Sequence, residues 1–167
     1  MSRLETGAPV TVWLGCSRAM KLPTAKAIDP YDSLDGRSAC ENFLGRNLDE
    51  AEALFRENSL HYQEALMWMG PVAFRYYVQA AIRYIQSEAA TDDHAIVSCL
   101  ASILEFRLEY ESAELVPIAD QLAAICCYII EHYERFDLTP EIFGDVRAHF
   151  QMLHETFLSL SSHERAA

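Results

Sequence analysis

Apolar residues recur every three or four positions along most of the chain, which is the spacing of one face of an α-helix. The clearest run follows Gly70-Pro71. This step is typical of one helix ending and another beginning, because Gly tolerates helix-end conformations and Pro suits the first helical position. We predict a helix over 71–88 and a shorter one over 60–69. The buried face of the 71–88 helix is expected to consist of Phe74, Tyr77, Val78, Ala81 and Ile85.

The same spacing predicts helices over 31–44, 48–58, 94–110 and 117–135, and a last helix that starts at Pro140. The 117–135 helix is apolar nearly all round in its middle part, so it is expected at the centre of the core. No long stretch alternates apolar and polar residues as a half-buried strand would. We therefore predict an all-α fold, a compact bundle of six or seven helices with an irregular N-terminal segment.

Polar residues before several of these runs mark where helices start. Asn47 with Glu50 three residues later has the pattern of a capping box. Asp92 or Asp93 is expected to cap the 94–110 helix, and Thr139 the last one. Helix starts are therefore well marked from residue 47 onward.

Gly and Pro are frequent before residue 37, where no clear periodicity holds for long. One short apolar run, Val10–Leu14, is expected to form a strand or an extended segment that lies on the helices. We therefore divide the chain into an irregular N-terminal segment, residues 1–36, packed on a helical domain, residues 37–167.

The chain is acidic, with a formal net charge of −12 and an isoelectric point of about 4.8. The charge is unevenly placed: residues 1–47 carry six basic and five acidic side chains, and residues 48–167 carry seven and twenty. This balance argues against nucleic-acid binding and against anionic membrane surfaces, because both need clustered Lys and Arg. It favours attraction of a basic protein partner.

Five cysteines are present, an odd number with no C-x-x-C spacing, which is typical of a protein kept reduced in the cytoplasm. No uninterrupted run approaches the roughly 18 apolar residues of a membrane span. The segment Val10–Cys16 loosely resembles a lipoprotein cleavage site, but the apolar run is too short, Glu5 lies in the leader, and Trp13 is bulky where small residues are needed. We therefore predict a cytoplasmic location.

The pattern of histidines and glycines indicates no metal, cofactor or catalytic residues. The chain has no Glu-x-x-His, no H-E-x-x-H and no glycine-rich phosphate loop. His149 and His154 are five residues apart and so point in different directions on a helix. Asp145 and His149 have the spacing of a usable acid–base pair, but such a pair is more often a solvated surface contact.

The predicted 71–88 helix carries the most distinctive polar face in the chain. Arginines and a glutamine recur every four residues beside a row that contains two tyrosines. One interpretation is a site for an anionic ligand or a partner, with Trp68 alongside. The other is that the arginines pair with acidic residues of neighbouring helices while the tyrosines are partly buried. The residues of this face are Arg75, Tyr76, Gln79, Arg83 and Tyr84.

The 94–110 and 117–135 helices are rich in carboxylates. Two interpretations apply to these side chains: an acidic contact surface for a basic partner, or the solvated outer faces of two helices. The candidate contact residues are Glu105, Glu109, Glu131 and Glu134.

The stretch Phe43–Glu88, which contains the sequence Gly-Pro-x-x-Phe-Arg-Tyr-Tyr from Gly70 to Tyr77, resembles a family of small uncharacterised bacterial helical proteins. The segments ILEFRLE and HYERFDL give weaker support to the same resemblance. The resemblance implies a helical fold and carries no assigned reaction. In size and charge the chain also resembles bacterial immunity proteins.

Two functions follow as hypotheses. The first is a non-enzymatic protein that binds a more basic partner, as an inhibitor or immunity protein does. The alternative is a helical protein with a pocket for an anionic small molecule, as a ligand-binding protein or an enzyme, on the Arg/Tyr face of the 71–88 helix. Formation of a homodimer through an aromatic face is a third possibility.

Overall fold

A computed structural model describes residues 21–166, with side chains described as far as Ser162. The predicted Val10–Leu14 segment therefore lies outside the described residues. Three short 3-10 turns connect the helices at 88–90, 116–118 and 133–136. The helices are α1 (Ala25–Ile28), α2 (Leu34–Phe43), α3 (Leu48–Tyr62), α4 (Glu64–Trp68), α5 (Pro71–Gln86), α6 (His94–Leu115), α7 (Ala119–Glu131), α8 (Pro140–Phe143) and α9 (Val146–Ala166).

The described residues contain no strand, so the predicted all-α fold is confirmed. The capping box is present: the Asn47 side chain accepts from the Glu50 backbone, and the Glu50 carboxylate accepts from the Asn47 backbone N–H. Asp93 rather than Asp92 caps α6, by accepting from the Ile96 backbone N–H. Polar residues thus predicted the starts of these two helices correctly, because a capping side chain acts on backbone groups only a few residues away.

Several helix boundaries differ from the predictions. α3 continues to Tyr62, so α4 begins at Glu64 and not at residue 60. α6 continues to Leu115, with a backbone kink at Glu111 (φ −141°, ψ 31°), and α7 starts at Ala119 after a 3-10 turn that contains Pro117. The predicted last helix is broken at Gly144, whose φ of 71° ends α8 after four residues. A left-handed residue is incompatible with continuing a right-handed helix, and glycine adopts it at little cost.

α5, rather than α7, is the most buried long helix. Nine of its sixteen residues are buried, and the list includes every residue of the predicted apolar face: Ala73, Phe74, Tyr76, Tyr77, Val78, Ala80, Ala81, Tyr84 and Ile85. α7 packs mainly against α9, and α3 packs mainly against α5. α9 therefore covers much of the apolar surface of α7, and the other side of α7 is partly open to solvent.

The Gly70 corner joins α4 to α5 and receives the N-terminal part of the described chain. The Gly70 N–H donates to the Ile28 carbonyl at 3.0 Å. A Cβ at Gly70 would lie 2.5 Å from the Ala27 carbonyl oxygen and 2.9 Å from Pro30 Cγ. The φ of Gly70 is −62°, so glycine is required by close approach of the backbone and not by the helix-end conformation that we expected.

Residues 21–36, which fall within the segment predicted as irregular, contain α1 and the start of α2. α1 contacts both α5 and α2. Ser33 caps α2 by accepting from the Gly36 N–H at 2.9 Å. This part of the segment is therefore helical in places and packed on the rest of the fold.

By length and composition, one helical stretch of the described chain, His94–Glu131, meets the criteria for a membrane span. Its most apolar window has a mean hydropathy of 1.6, and 44% of that window is buried inside the fold. Core helices of soluble proteins meet the same criteria. The stretch comprises α6, a 3-10 turn and α7, so it is not one uninterrupted apolar run.

Candidate functional site

The two arginines of the predicted anion site are paired with carboxylates of the same chain. Arg75 Nη1 lies 2.5 Å from Glu114 Oε2 and donates to the Glu114 carbonyl at 2.9 Å. Arg83 Nη1 lies 3.0 Å from Asp49 Oδ1. Extension of α6 beyond its predicted end brings Glu114 to Arg75. The α5 face therefore lacks the unpaired guanidinium groups that a pocket for an anion requires.

The tyrosines of this face are buried, with exposed fractions of 7% for Tyr76 and 4% for Tyr84. The Tyr84 hydroxyl donates to Asp93 Oδ2 at 2.8 Å. Burial, and next this hydrogen bond, raise the pKa of Tyr84 well above its ordinary value. Gln79 Nε2 donates to the Arg75 carbonyl. Of the two interpretations of this face, internal pairing of the arginines and burial of the tyrosines is the one that these contacts match.

The predicted acidic residues do not form one continuous surface. Glu105 Oε2 lies 3.4 Å from His149 Nε2, and Glu134 Oε1 lies 2.9 Å from Arg147 Nη2. Arg147 and His149 are two residues apart on α9 and so project about 200° from each other. Glu105 and Glu134 therefore lie on different sides of α9.

The remaining two acidic candidates also lie apart. Glu131 ends α7, where its Oε1 accepts from Cys127 Sγ at 3.5 Å. Glu109 is exposed on α6, and none of the ion pairs among the described residues involves it. Glu105 and Glu109 thus stay together as one pair on α6, four residues apart.

Three aromatic side chains form a partly exposed row across α4 and α6, which we call the aromatic ladder. The ring centroids of Trp68 and Phe106 are 6.2 Å apart, and those of Phe106 and Tyr110 are 4.8 Å apart. Trp68 is 41% exposed and Tyr110 is 65% exposed. Phe106 and Tyr110 are four residues apart on α6, so both project from the same face. Our sequence analysis placed Trp68 at the Arg/Tyr site and did not single out the other two.

The ladder begins at the mouth of a cavity of about 550 Å³ between α4, α6 and the chain around α8 and α9, which we call the groove. Its floor is mainly apolar, and its rim carries the exposed carboxylate of Glu64. Ile142, which is 74% exposed, is part of its lining. The lining residues are Gln63, Glu64, Met67, Trp68, Ser98, Cys99, Ala101, Ser102, Ile142, Phe143, Val146 and His149.

Cys99 and His149 both line the groove, and the environment of Cys99 does not activate its thiol. Burial raises the pKa of the Cys99 thiol, and the polar groups that act on it are Ser98 and Asp93. The Nε2 atom of His149 faces Glu105 instead. Among the described residues no group of three or more His, Cys, Asp or Glu side chains is placed to hold a metal ion.

Arg107 holds the two walls of the groove together, a role that our sequence analysis missed. Its guanidinium is 1% exposed and donates from Nη2 to the carbonyls of Leu66, Met67 and Met69 at 2.8, 3.0 and 2.5 Å. These carbonyls lie at the end of α4, where the last turn of a helix has no partners of its own. The only signal in the sequence was a charged residue in the position that continues the apolar stripe of α6.

Two further contacts complete the site around Arg107. The guanidinium pairs with Glu111 and lies 4.5 Å from the ring centroid of Phe74 on α5. One side chain of α6 therefore contacts both α4 and α5, and so fixes the position from which Trp68 projects.

No family model, no curated protein and no solved structure matches the chain. The resemblance to small bacterial helical proteins through the Phe-Arg-Tyr-Tyr stretch stays a prediction.

Proposed function

We propose that this protein is a non-enzymatic binding protein for a more basic protein partner, of the inhibitor or immunity type. The observation that carries the proposal is the aromatic ladder, which begins at the groove. Exposed carboxylates lie nearby: Glu64 lines the groove, and Glu105 and Glu109 are on α6 next to the ladder residues. From the sequence we considered an acidic contact surface over residues 105–134. The proposal replaces it with a smaller surface made of the groove, the ladder and the neighbouring carboxylates of Glu105 and Glu109.

The ladder has the composition of a protein contact surface. Trp and Tyr are enriched among the residues that dominate binding energy, because they provide large contact area with few rotatable bonds. Trp68, Phe106 and Tyr110 are adjacent and not scattered, which distinguishes them from the single exposed apolar residues of ordinary surfaces.

The charge of the chain supports a basic partner. A net charge of −12 attracts cationic proteins over distances of about the Debye length, roughly 8 Å at physiological ionic strength. Such attraction raises association rates and weakens steeply as salt increases. Four described cysteines, Cys40, Cys99, Cys126 and Cys127, are free thiols, which is compatible with the cytoplasmic location that belongs to this proposal.

The test combines capture of a partner from an extract with titration of the purified proteins. The full chain, immobilised, is exposed to an extract of its native host at low and at moderate salt, and a retained protein is identified, purified and titrated by calorimetry. We expect a partner with a basic isoelectric point and an affinity that falls as salt rises. Trp68→Ala and Tyr110→Ala should each weaken binding by at least about tenfold, as expected for central aromatic anchors.

The matched control is Leu158→Ala, which removes a half-exposed apolar side chain of α9 outside the groove and should leave affinity unchanged. A purified partner whose affinity is indifferent to salt and to both ladder substitutions would overturn the proposal. So would the retention of no host protein at either salt concentration.

A further inference from the structure

We infer that the segment of the partner that enters the groove is a basic amphipathic helix, laid along α6 with its apolar side on the aromatic ladder. This inference rests on the proposed function and adds to it the kind of segment that is recognised. It is carried by the length of the α6 face that runs from the groove to the end of the ladder, by the spacing of Glu105 and Glu109 on that face, and by the secondary structure around it.

The α6 face that joins the groove to the end of the ladder is about three turns of helix long. From Ser98 at the cavity to Tyr110 at the end of the ladder, α6 advances twelve residues, which corresponds to roughly 18 Å. A partner helix of about the same length would place apolar residues at three successive turns, with the spacing of i, i+3 or i+4, and i+7 that groove-binding helices use.

The carboxylates on α6 fit cations on a second helix. Glu105 and Glu109 are one turn apart, which separates them by about 6 Å along the axis. Lys or Arg residues four positions apart on a partner helix that lies nearly parallel or antiparallel to α6 have the same separation. Glu64, on the α4 wall, supplies an exposed carboxylate on the opposite rim. The partner helix would therefore carry cations on both flanks of its apolar stripe.

Two other backbone conformations fit less well. In a polyproline helix, residues on one side recur about every 9 Å, which does not match the spacing of Glu105 and Glu109. In an extended segment, residues on one side recur about every 6.6 Å, close to the spacing of the two carboxylates. Binding by strand addition, however, requires an exposed sheet edge, and the described residues contain no strand. A helix satisfies its own backbone hydrogen bonds and binds through side chains alone.

The test uses synthetic peptides and the Trp68 fluorescence of the full chain. Trp13→Phe leaves Trp68 as the single tryptophan. The probe is a peptide of about 18 residues, made of Leu and Lys in helical periodicity, long enough to form a helix on binding. We expect a blue shift of Trp68 emission on titration, a gain of helical circular dichroism, and binding at least about tenfold tighter than that of an isomer with the same composition but no periodicity.

Two double variants separate recognition at the groove from general attraction. Glu105→Gln with Glu109→Gln should weaken binding of the periodic peptide several-fold, because each substitution removes a negative charge that faces the peptide. Glu41→Gln with Glu57→Gln changes net charge equally at exposed positions on α2 and α3, away from the α6 face that carries the ladder, and should have a much smaller effect.

Four outcomes would overturn the inference. They are equal affinity for both isomers, equal effects of the two double variants, tighter binding of a basic proline-rich peptide, and sedimentation that shows a stable homodimer with Trp68 buried between copies. In the first three cases a purified basic partner that still depends on the ladder would leave the proposed function intact, so the two failures are distinguishable.

Discussion

The α5 face and the groove both place aromatic rings beside charged groups, but the side chains of the first are buried or paired and those of the second are exposed or partly exposed. On α5, Tyr76 and Tyr84 are buried, and Arg75 and Arg83 are paired within the chain. At the groove, the ladder is open to solvent. Aromatic and charged composition therefore does not determine whether a surface is available to a partner.

The difference arises from what packs on each helix. α5 is covered by α3 and approached by α1 and α6, so few of its positions reach solvent. α4 has only five residues, and its Trp68 packs against Phe106 of α6 while 41% of the residue stays exposed.

The largest expected effect concerns the buried arginine that fixes the groove. Arg107→Met should destabilise the protein by about 3–5 kcal/mol, because it leaves Glu111 and three carbonyls at the end of α4 without their partner. Arg83→Met is the control and should cost about 1 kcal/mol or less, since its ion pair with Asp49 is at the surface. Urea unfolding measures both. Equal effects would show that Arg107 does not hold α4 on α6.

The next comparison exchanges one tyrosine from each region for alanine. Tyr76→Ala should cost about 3 kcal/mol, because it opens a cavity in the core. Tyr110→Ala should change the free energy of unfolding by about 0.5 kcal/mol or less, because its ring is mostly in solvent. Thermal unfolding of the two variants decides the point. A large loss for Tyr110→Ala would mean that the ladder serves folding and not binding.

A smaller effect is expected at the corner that positions α4. Gly70→Ala should cost about 1–3 kcal/mol, because the added methyl group would clash with the Ala27 carbonyl and Pro30. Ser38→Ala, at an exposed position of α2, is the control and should be nearly neutral. Denaturant midpoints compare the two. If Gly70→Ala is as stable as the wild type, α1 can move away from the corner without cost.

The smallest expected effect concerns thiol reactivity, which we compare between Cys99 in the groove and Cys126 in the core. Burial raises the pKa of Cys126 to about 12 and raises that of Cys99 less. The thiolate is the reactive form, so alkylation of both should speed up as pH rises, and Cys99 should react at least about tenfold faster near pH 8.5. Mass spectrometry of the labelled peptides measures this ratio. Faster labelling of Cys126 would contradict the packing of α7 on α9.

The amino-acid sequence predicted the helical class and most helix starts, because those depend on local periodicity and on capping groups a few residues away. Asn47 and Glu50 are an example. Helix ends were harder to predict. The α6 backbone is kinked at Glu111, and the Glu111 side chain pairs with Arg107, whose other partners lie about forty residues away in sequence. Such partners are not visible in a window of local residues.

The candidate site was only partly predictable. Trp68, Glu105 and Glu109 were identified as candidates, and Trp68, which we had placed beside the Arg/Tyr face, contacts Phe106 of α6. Phe106 and Tyr110 had the spacing of a helix face, yet nothing local distinguishes an exposed aromatic pair from a buried one. Whether an aromatic pair is covered depends on a neighbouring helix, which here is the short α4.

By itself, the sequence determined an acidic, helical protein with an apolar stripe on each long helix, since charge and periodicity are properties of the chain alone. Only the tertiary structure decided which charges are used internally and which aromatic residues face solvent. The physical reason is that pairing and burial are set by contacts between distant segments. Arg75 meets Glu114 and Arg107 meets the end of α4 only when the helices are packed together.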